Sequence, residues 1–175
     1  MRLVACTREP HADAILRIFN DAIAHTTALY DYRPRTPAMI VDWFAAKAGS
    51  GFPIIGVEAD DGTLMGFASY GPFRPNPAYL YTAEHSLYVD ENCRRRGVGA
   101  HLMAALVESA RRQDFHVLVG GIDSSNAASI ALHRRFGFEH AGTIRHAGRK
   151  FGRWLDLDFY QLILPTPAVP LEAGP

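Results

Sequence analysis

One segment, "ENCRRRGVGAHL" at residues 91–102, constrains the fold more than any other, because it joins a strand-like stretch to an amphipathic helix pattern. Backbone N–H groups at the start of a helix lack partners within the helix, and the helix dipole adds partial positive charge there. Gly97 and Gly99 let a ligand approach the backbone closely, and Arg94, Arg95 and Arg96 add full charges. The segment therefore predicts a site for a di- or polyphosphate at a strand-to-helix junction of an α/β protein.

Other interpretations of this segment are weaker. A P-loop needs Gly-Lys-Ser/Thr at the helix start, and here Ala100 and His101 follow the second glycine. A dinucleotide-binding loop needs a third glycine, where this chain has Leu102. A nucleic-acid patch would carry more arginines with aromatic side chains between them. A plain helix start with solvated arginines stays open on this motif alone.

The composition fits one globular domain. The chain has 175 residues, of which 48% are hydrophobic, and Lys+Arg and Asp+Glu both total 18. This balance predicts one packed core and argues against a surface that tracks nucleic acid. Cys6 and Cys93 are the only cysteines, and they indicate free thiols in a reducing compartment. Because the chain shows no signal-peptide pattern and no apolar run approaching ~18 residues, we expect a cytoplasmic protein without a membrane partner.

Apolar periodicity predicts the order of the elements: strand, helix, helix, three strands, helix, strand, helix and two strands. The second helix begins after Thr36 as N-cap, with Pro37 in its first turn. Its predicted apolar stripe comprises Met39, Ile40, Trp43 and Phe44. The segment "PFRPNPAY" at residues 72–79 predicts a loop or lid, because proline cannot donate a backbone hydrogen bond.

This order predicts a mixed central β-sheet with helices on both faces, an α/β (α+β) fold. Residues 1–164 are expected to form a single domain. Residues 165–175 are expected to form a loose tail, because they are rich in proline.

Motifs that recur in a fixed order carry a resemblance to a known family. Arg94, Gly97 and Gly99 fit R-x-x-G-x-G, the strand "HSLYV" precedes them, and N-x-x-S and H-x-x-x-G-F follow. With these motifs the chain resembles the GNAT acetyltransferase superfamily over roughly residues 1–163. It is most similar to the phosphinothricin and methionine sulfoximine/sulfone N-acetyltransferase branch. The closer match rests on "IFNDAIAHTTALYDY", "FASYGPFRP", "AEHSLYVDENCRRRGVG", "NAASIALHRRFGFEHAG" and "GRKFGRWLDLDFYQL".

The resemblance implies acetyl-CoA as cosubstrate and a GNAT fold, in which the strand before the glycine loop splays from its neighbour. The pyrophosphate is expected at the backbone amides of Arg94, Arg95, Arg96, Gly97, Val98, Gly99 and Ala100. Main-chain groups of Leu87, Tyr88 and Val89 are expected to pair with the pantetheine amides. Asn126 matches the asparagine that contacts the cofactor arm, and Arg135 is a further candidate.

Acetyl transfer to an amine needs a base for the amine proton, donors for a developing oxyanion, and an acid for the leaving thiolate. The resemblance implies Glu84 as the base and the N–H of Val89 as the oxyanion donor. His133 is the candidate acid, since an imidazole with a pKa near ~6.5 could protonate a thiolate whose conjugate acid lies near ~8.5. A histidine bonded only to a backbone carbonyl, or Tyr88 or Tyr160 as the acid, stays open.

The acceptor is implied by Arg74, because a guanidinium binds phosphinate and sulfone-type oxygens well. In the family, a loop matching Arg74, Pro75 and Asn76 holds the head group of the substrate. The resemblance also places Glu84, His85 and Ser86 along the substrate, with Phe73 and Tyr30 as apolar walls. Many relatives differ from this chain at Pro72-Phe73, which leaves the exact acceptor open.

The expected activity is therefore acetylation of the α-amine of a small amino-acid analogue by direct transfer from acetyl-CoA. A protein N-terminus or lysine as acceptor, and a CoA-binding module without catalysis, are the alternatives. No metal is expected, because His140 and His146 have no third ligand near them in sequence. The resemblance implies a homodimer, with the basic aromatic hairpin "RHAGRKFGRW" near the active site and the partner rather than on RNA.

Overall fold

The computed structural model describes residues 1–172, and within them the elements follow the predicted order. The α-helices are α1 (Arg8–His25), α2 (Pro37–Gly49), α3 (Val98–Arg112) and α4 (Ala127–Arg135). The strands are β1 (Arg2–Ala5), β2 (Ile54–Glu58), β3 (Leu64–Pro72), β4 (Thr82–Val89), β5 (Val117–Asp123), β6 (Glu139–Lys150) and β7 (Arg153–Ile163). Two short 3₁₀ turns lie at Pro77–Tyr79 and Glu91–Cys93.

The strands form one mixed sheet in the order β1-β2-β3-β4-β5-β7-β6. Neighbouring strands pair antiparallel except β4 and β5, which are parallel and are connected through α3. A parallel pair needs such a crossover, because a tight turn can only reverse the chain. The predicted α/β sheet is thus confirmed.

Helices cover both faces of the sheet, and each face has its own apolar core. On one face α3 buries Leu102, Met103 and Leu106 completely against β2, β3 and β4. On the other face Ile15 and Phe19 of α1 pack with residues of α2 and β3. Full burial of a side chain of this size stabilises the fold by roughly 1.5–3 kcal/mol.

The second helix starts as predicted, since the Thr36 hydroxyl accepts a hydrogen bond from the Met39 N–H at 3.3 Å. The predicted apolar stripe is wrong at Met39, whose side chain is 50% exposed, whereas Ile40 and Phe44 are buried. The capping position puts Met39 on the outer side of the first turn, so an apolar residue at helical spacing is not enough to bury it. Within the described part of the chain, no helix has both the length and the hydropathy to cross a membrane.

The sheet opens between β4 and β5. Pairing starts at Thr82–Val117 and ends at His85–Gly120, although β4 continues to Val89 and β5 to Asp123. Each strand stays paired along its full length on its other side, β4 with β3 and β5 with β7. The predicted splay is therefore present as a gap lined by backbone groups.

Part of the proline-rich tail lies on the domain. The hydroxyl of Thr166 donates to the carbonyl of Phe115 at 2.6 Å, and the N–H of Leu171 donates to the Tyr81 hydroxyl at 2.9 Å. Residues 173–175 of the predicted tail lie outside the described residues.

Gly66 allows β3 and β4 to approach closely, and the gap beside β4 depends on this contact. A Cβ at Gly66 would lie 2.7 Å from the carbonyl oxygen of Tyr88 and 3.1 Å from Cα of Val89, and both are backbone atoms that cannot turn aside. We expect Gly66→Ala to lower the free energy of unfolding by about 1–3 kcal/mol, measured by urea denaturation. Gly49→Ala, where the same atom meets nothing within 4 Å, is the control and should be neutral or slightly stabilising. Equal stability of the two variants would contradict the packing argument.

Candidate active site

A cleft of about 770 Å³ opens where β4 and β5 separate. This volume is in the range of small-molecule and cofactor sites. Its walls come from α1 and the loop after it, β4, β5, the start of α3, α4 and the β6–β7 hairpin. Of the residues predicted for the site, the cleft is lined by Tyr30, Glu84, His85, Ser86, Leu87, Tyr88, Val89, Arg94, Gly99, Asn126 and His133.

The backbone of β4 presents alternate residues to the gap. Asp90 N–H donates to the Met65 carbonyl of β3 at 2.9 Å, so even-numbered residues of β4 bond to β3. The N–H and C=O groups of Leu87 and Val89 consequently face the gap. The backbone of Tyr88 faces β3 instead, and its side chain lies in the aromatic core beside Phe19. The main-chain groups of Tyr88 therefore point away from the gap, and the main-chain contact expected between Tyr88 and a ligand there cannot form.

The glycine loop forms the start of α3. Gly97 is the N-cap with φ +84°, a left-handed conformation that favours glycine. The amides of Val98 and Gly99 belong to the first turn, whereas Ala100 N–H already donates to the Gly97 carbonyl at 3.0 Å. A Cβ at Gly99 would lie 3.3 Å from the Leu132 side chain, so glycine keeps this end of the cleft open.

The three arginines before the loop have different positions. Arg94 lines the cleft and pairs with Asp21 of α1 at 3.4 Å. Arg95 and Arg96 are exposed beyond the cleft wall, and Arg95 has φ +59°. Cationic charge thus surrounds the amides of the loop, as an anion site requires.

Glu84 is half-buried near the start of β4. It shares a face of β4 with Ser86 and Tyr88, and its Oε1 lies 3.5 Å from the position of a Cβ at Gly121 of β5. Burial raises the pKa of the Glu84 carboxyl above its ordinary value, and the nearby Arg74 guanidinium partly opposes this shift. A carboxylate with a raised pKa is a stronger base than an exposed one.

His85 and His133 form a buried pair on the opposite face of the strands. Their Nε2 atoms are 2.9 Å apart, and His133 Nδ1 lies 2.7 Å from the Ser129 carbonyl. That carbonyl requires the proton of neutral His133 on Nδ1, so His85 donates through Nε2 to the unprotonated Nε2 of His133. Both predicted residues line the cleft, but His85 is bound to α4 and lies across the strand from Glu84.

Burial keeps both imidazoles neutral. Burial together with neighbouring His133 lowers the pKa of His85 to about 3. Burial also lowers the pKa of His133, against the opposing hydrogen bond to Ser129. Because neutral His133 carries its only proton on Nδ1, its Nε2 could protonate a thiolate only after His85 turns away and Nε2 has gained a proton.

Asn126 is the N-cap of α4. Its Oδ1 accepts from Ser129 N–H at 3.1 Å, which leaves its NH₂ group on the side of the cleft. Arg135 lies in the last turn of α4, where it is exposed and does not line the cleft. The geometry thus supports Asn126 as a ligand contact better than Arg135.

The β3–β4 connection approaches Glu84 but stays outside the cleft wall. The Arg74 guanidinium lies 4.3 Å from the ring centroid of Phe73 and donates to the Phe73 carbonyl at 2.9 Å. Arg74, Pro75 and Asn76 are exposed. None of the predicted residues Phe73, Arg74, Pro75 and Asn76 lines the cleft in this conformation.

The loop after α1 is held against the β6–β7 hairpin. The buried ammonium of Lys150 donates to the carbonyls of Thr26 at 2.8 Å and Leu29 at 2.7 Å. The ring of Tyr30 packs on Gly148, where a Cβ would lie 2.6 Å from a ring carbon. These contacts fix Tyr30 in the wall of the cleft.

Several lining residues were missed by the sequence reasoning: Asp21, Thr27, Asp123, Ser125, Ser129 and Arg153. Asp123 ends β5 inside the segment "GGIDSSN". Its side chain is only 1% exposed, and a carboxylate that directly follows a buried strand could have signalled the site. Arg153 pairs with it at 3.8 Å across the hairpin, a contact that no spacing along the chain reveals.

No group of three or more His, Cys, Asp or Glu side chains within residues 1–172 is arranged to hold a metal ion. His140 lies beside Thr143 and Asp158 at the edge of the sheet. His146 stacks on Trp154.

The histidine pair depends on a glycine at the point where the strands separate. A Cβ at Gly120 would lie 2.8 Å from His133 Nε2 and 2.9 Å from His85 Cε1. We expect Gly120→Ala to destabilise the fold by about 1–3 kcal/mol in urea denaturation. Gly121→Ala is the matched control, since its nearest atom would be the Leu157 side chain at 3.4 Å, an ordinary contact. If Gly120→Ala were no more destabilising than the control, the tight packing of the pair would be refuted.

Comparisons with known proteins agree with this geometry. The model of the acetyltransferase (GNAT) family matches residues 14–138. An L-methionine sulfoximine/L-methionine sulfone acetyltransferase of Pseudomonas paraeruginosa is 48% identical over 157 residues, 89% of this chain and 91% of the relative. An L-amino acid N-acyltransferase of Escherichia coli K12 is 36% identical over 167 residues, 95% of this chain and 96% of the relative.

A solved structure shares the same fold. The phosphinothricin acetyltransferase of Sinorhizobium meliloti, in complex with acetyl-CoA, superposes with a TM-score of 0.92 at 29% identity. The match covers 97% of this chain and 91% of that one. The resemblance inferred from the motifs is confirmed, and the chain belongs to the GNAT family of acetyltransferases.

Proposed function

We propose that this protein transfers the acetyl group of acetyl-CoA to the α-amine of a small amino-acid analogue of the methionine sulfone, methionine sulfoximine or phosphinothricin type. The observation that carries the proposal is a half-buried Glu84 with a raised pKa beside a backbone-lined gap. Relatives that are named for these acceptors, or for L-amino acids in general, support the substrate class.

The gap fits acetyl-CoA, which supplies an activated acetyl group as a thioester when it is bound. The amides of Val98 and Gly99, with Arg94 nearby, would hold its pyrophosphate. Leu87 and Val89 would pair with its amide groups, as an extended ligand pairs with a sheet edge. Asn126 would donate to the same arm from α4.

Glu84 would act as the general base. An amine acceptor enters as an ammonium and has no lone pair until it loses a proton, so a carboxylate must take that proton directly or through water. The raised pKa of Glu84 narrows the gap to the pKa of the amine and makes the transfer easier.

The N–H of Val89 faces the gap, the direction needed to stabilise negative charge on the acyl oxygen. His133 as the thiol acid stays a prediction that requires movement of His85. Tyr88 is a poor alternative, because burial raises its pKa to about 12. Tyr160 is buried and accepts from Arg134 at 3.2 Å.

The acceptor would lie between Glu84, Ser86 and the Tyr30 wall. Its anionic or polar head would be bound by Arg74, whose guanidinium is close enough to Glu84 to lower the pKa of that carboxyl. This requires the loop at residues 73–76 to move toward the cleft. The loop after α1 and the hairpin close the other side, which favours a small acceptor over a peptide.

We also propose a cytoplasmic homodimer. Large apolar side chains on the hairpin strands are exposed, including Ile144, Phe151 and Trp154 at more than half of their surface. Cys6 and Cys93 are both free and buried, which fits a reducing compartment. Analytical ultracentrifugation of the purified chain tests the dimer.

Thiol release from acetyl-CoA tests the function directly. Methionine sulfone, methionine sulfoximine and phosphinothricin are the acceptors, and at least one should give turnover. Glu84→Gln should lower kcat/KM by about 10²–10⁴-fold with unchanged CoA affinity in calorimetry. Glu139→Gln, at an exposed strand end, is the matched control and should keep full activity. CoA binding by folded protein without turnover on any of these amines would favour a binding module instead.

Glu84 should also link stability to pH. Because its pKa is raised in the folded state, the folded protein binds more protons than the unfolded chain, and its stability falls as pH rises through that pKa. Glu84→Gln should therefore be more stable than the wild type at pH 7–8, with a difference that disappears below about pH 4. Thermal unfolding across this pH range measures it, and a variant less stable than wild type at pH 8 would argue against a desolvated carboxylate.

A further inference from the structure

Three buried side-chain polar atoms among residues 1–172 have no hydrogen-bond partner, and one of them is Nδ1 of His85. The other two are Asp123 Oδ2 and Tyr30 Oη. Both residues line the cleft, and the Asp123 side chain is 1% exposed. An unsatisfied buried oxygen destabilises the fold, and a charged one does so more, so such atoms in a cleft point to a ligand.

One carboxylate oxygen of Asp123 accepts hydrogen bonds from the protein, and the other accepts none. Oδ1 accepts from the N–H of Ser125 at 2.7 Å and from its hydroxyl at 2.5 Å. Oδ2 accepts no hydrogen bond, and the Arg153 guanidinium lies 3.8 Å from it, beyond hydrogen-bond distance. Although burial opposes ionisation, the bonds from Ser125 and the neighbouring Thr27 and Arg153 hold the pKa of Asp123 below its ordinary value. Asp123 is therefore an anion that can accept a hydrogen bond from a cation.

Tyr30 offers the complementary group. Burial and the nearby Asp123 raise the pKa of its phenol, so the hydroxyl keeps its proton and can donate it. Its ring is fixed on Gly148. Arg153 also lines the cleft, and its guanidinium bonds to Ser125 Oγ at 3.0 Å, which puts positive charge at the same wall.

Asp123 and Glu84 lie on the same face of the opened sheet. Glu84 Oε1 is 3.5 Å from the Cβ position of Gly121, and Asp123 follows two residues later on β5. Two residues of a strand span roughly 6–7 Å, so the Asp123 side chain lies one step further along the same face of β5 than the position nearest to Glu84.

We propose that Asp123 and Tyr30 bind the zwitterionic α-amino-acid group of the acceptor. Asp123 Oδ2 accepts a hydrogen bond from its ammonium, and Tyr30 Oη donates one to its carboxylate. This inference rests on the proposed acetyl transfer and adds the residues that select α-amino acids over simple amines. Asp123 orients the ammonium while Glu84 removes its proton, and neither Asp123 nor Tyr30 takes part in bond making.

Two acceptor compounds distinguish the proposed hydrogen bond to the ammonium from the one to the carboxylate. Methionine sulfone carries the ammonium and the carboxylate, whereas 3-(methylsulfonyl)propan-1-amine keeps the amine and lacks the carboxylate. Asp123→Asn should raise KM about 10- to 100-fold for both acceptors, because both present an ammonium. Tyr30→Phe should raise KM about 10-fold for methionine sulfone and leave that of the amine unchanged. Asp156→Asn, which removes a nearby charge outside the cleft lining, is the control and should change neither.

Binding without turnover keeps the inference separate from the proposed function. Methionine sulfone is titrated calorimetrically into the CoA-loaded wild type and both variants, with thermal unfolding to show that each is folded. Binding that weakens in Asp123→Asn and Tyr30→Phe supports the site even if the wild type shows no turnover, an outcome that would overturn only the acetyl transfer. Unchanged binding and KM in both folded variants, or an equal effect of Tyr30→Phe on the two acceptors, would overturn the inference.

Discussion

Hydrogen bonding between β4 and β5 stops at the His85–Gly120 pair, while both strands continue and stay paired on their other sides. The site depends on this separation. It leaves the backbone of Leu87 and Val89 facing an open gap, and it brings the start of α3 to one end and Glu84 to the other. The imidazoles of His85 and His133 occupy the point where the strands part, in space that Gly120 leaves free.

The order of elements and the glycine loop could be predicted from the sequence, because both are local. Helical spacing of apolar residues such as Ile15 and Phe19 marks a buried face, and the structure buries both. Gly97 and Gly99 occupy the turn and first helical residues where the motif requires them. The splayed strand and the base position of Glu84 came from the resemblance, since nothing in the spacing of "AEHSLYV" shows that pairing will stop.

Contacts between distant segments could not be predicted. The bond of His85 to His133 joins β4 to α4, and the neighbourhood of Asp123, Tyr30 and Arg153 joins three separate elements. Met39 shows the converse problem, because its apolar spacing was correct while the neighbouring structure left that side of α2 uncovered. The spacing of apolar residues indicates which side of a helix is suited to burial, but whether each residue is buried depends on the elements that pack against it.

Lys150 holds two parts of the cleft wall together. Its buried ammonium joins the loop after α1 to the hairpin through two carbonyls. The loop after α1 and the β6–β7 hairpin therefore depend on each other for their position. Replacing only the loop or only the hairpin would leave the buried ammonium or its carbonyl partners unpaired, so we expect a change in one segment to require a matching change in the other.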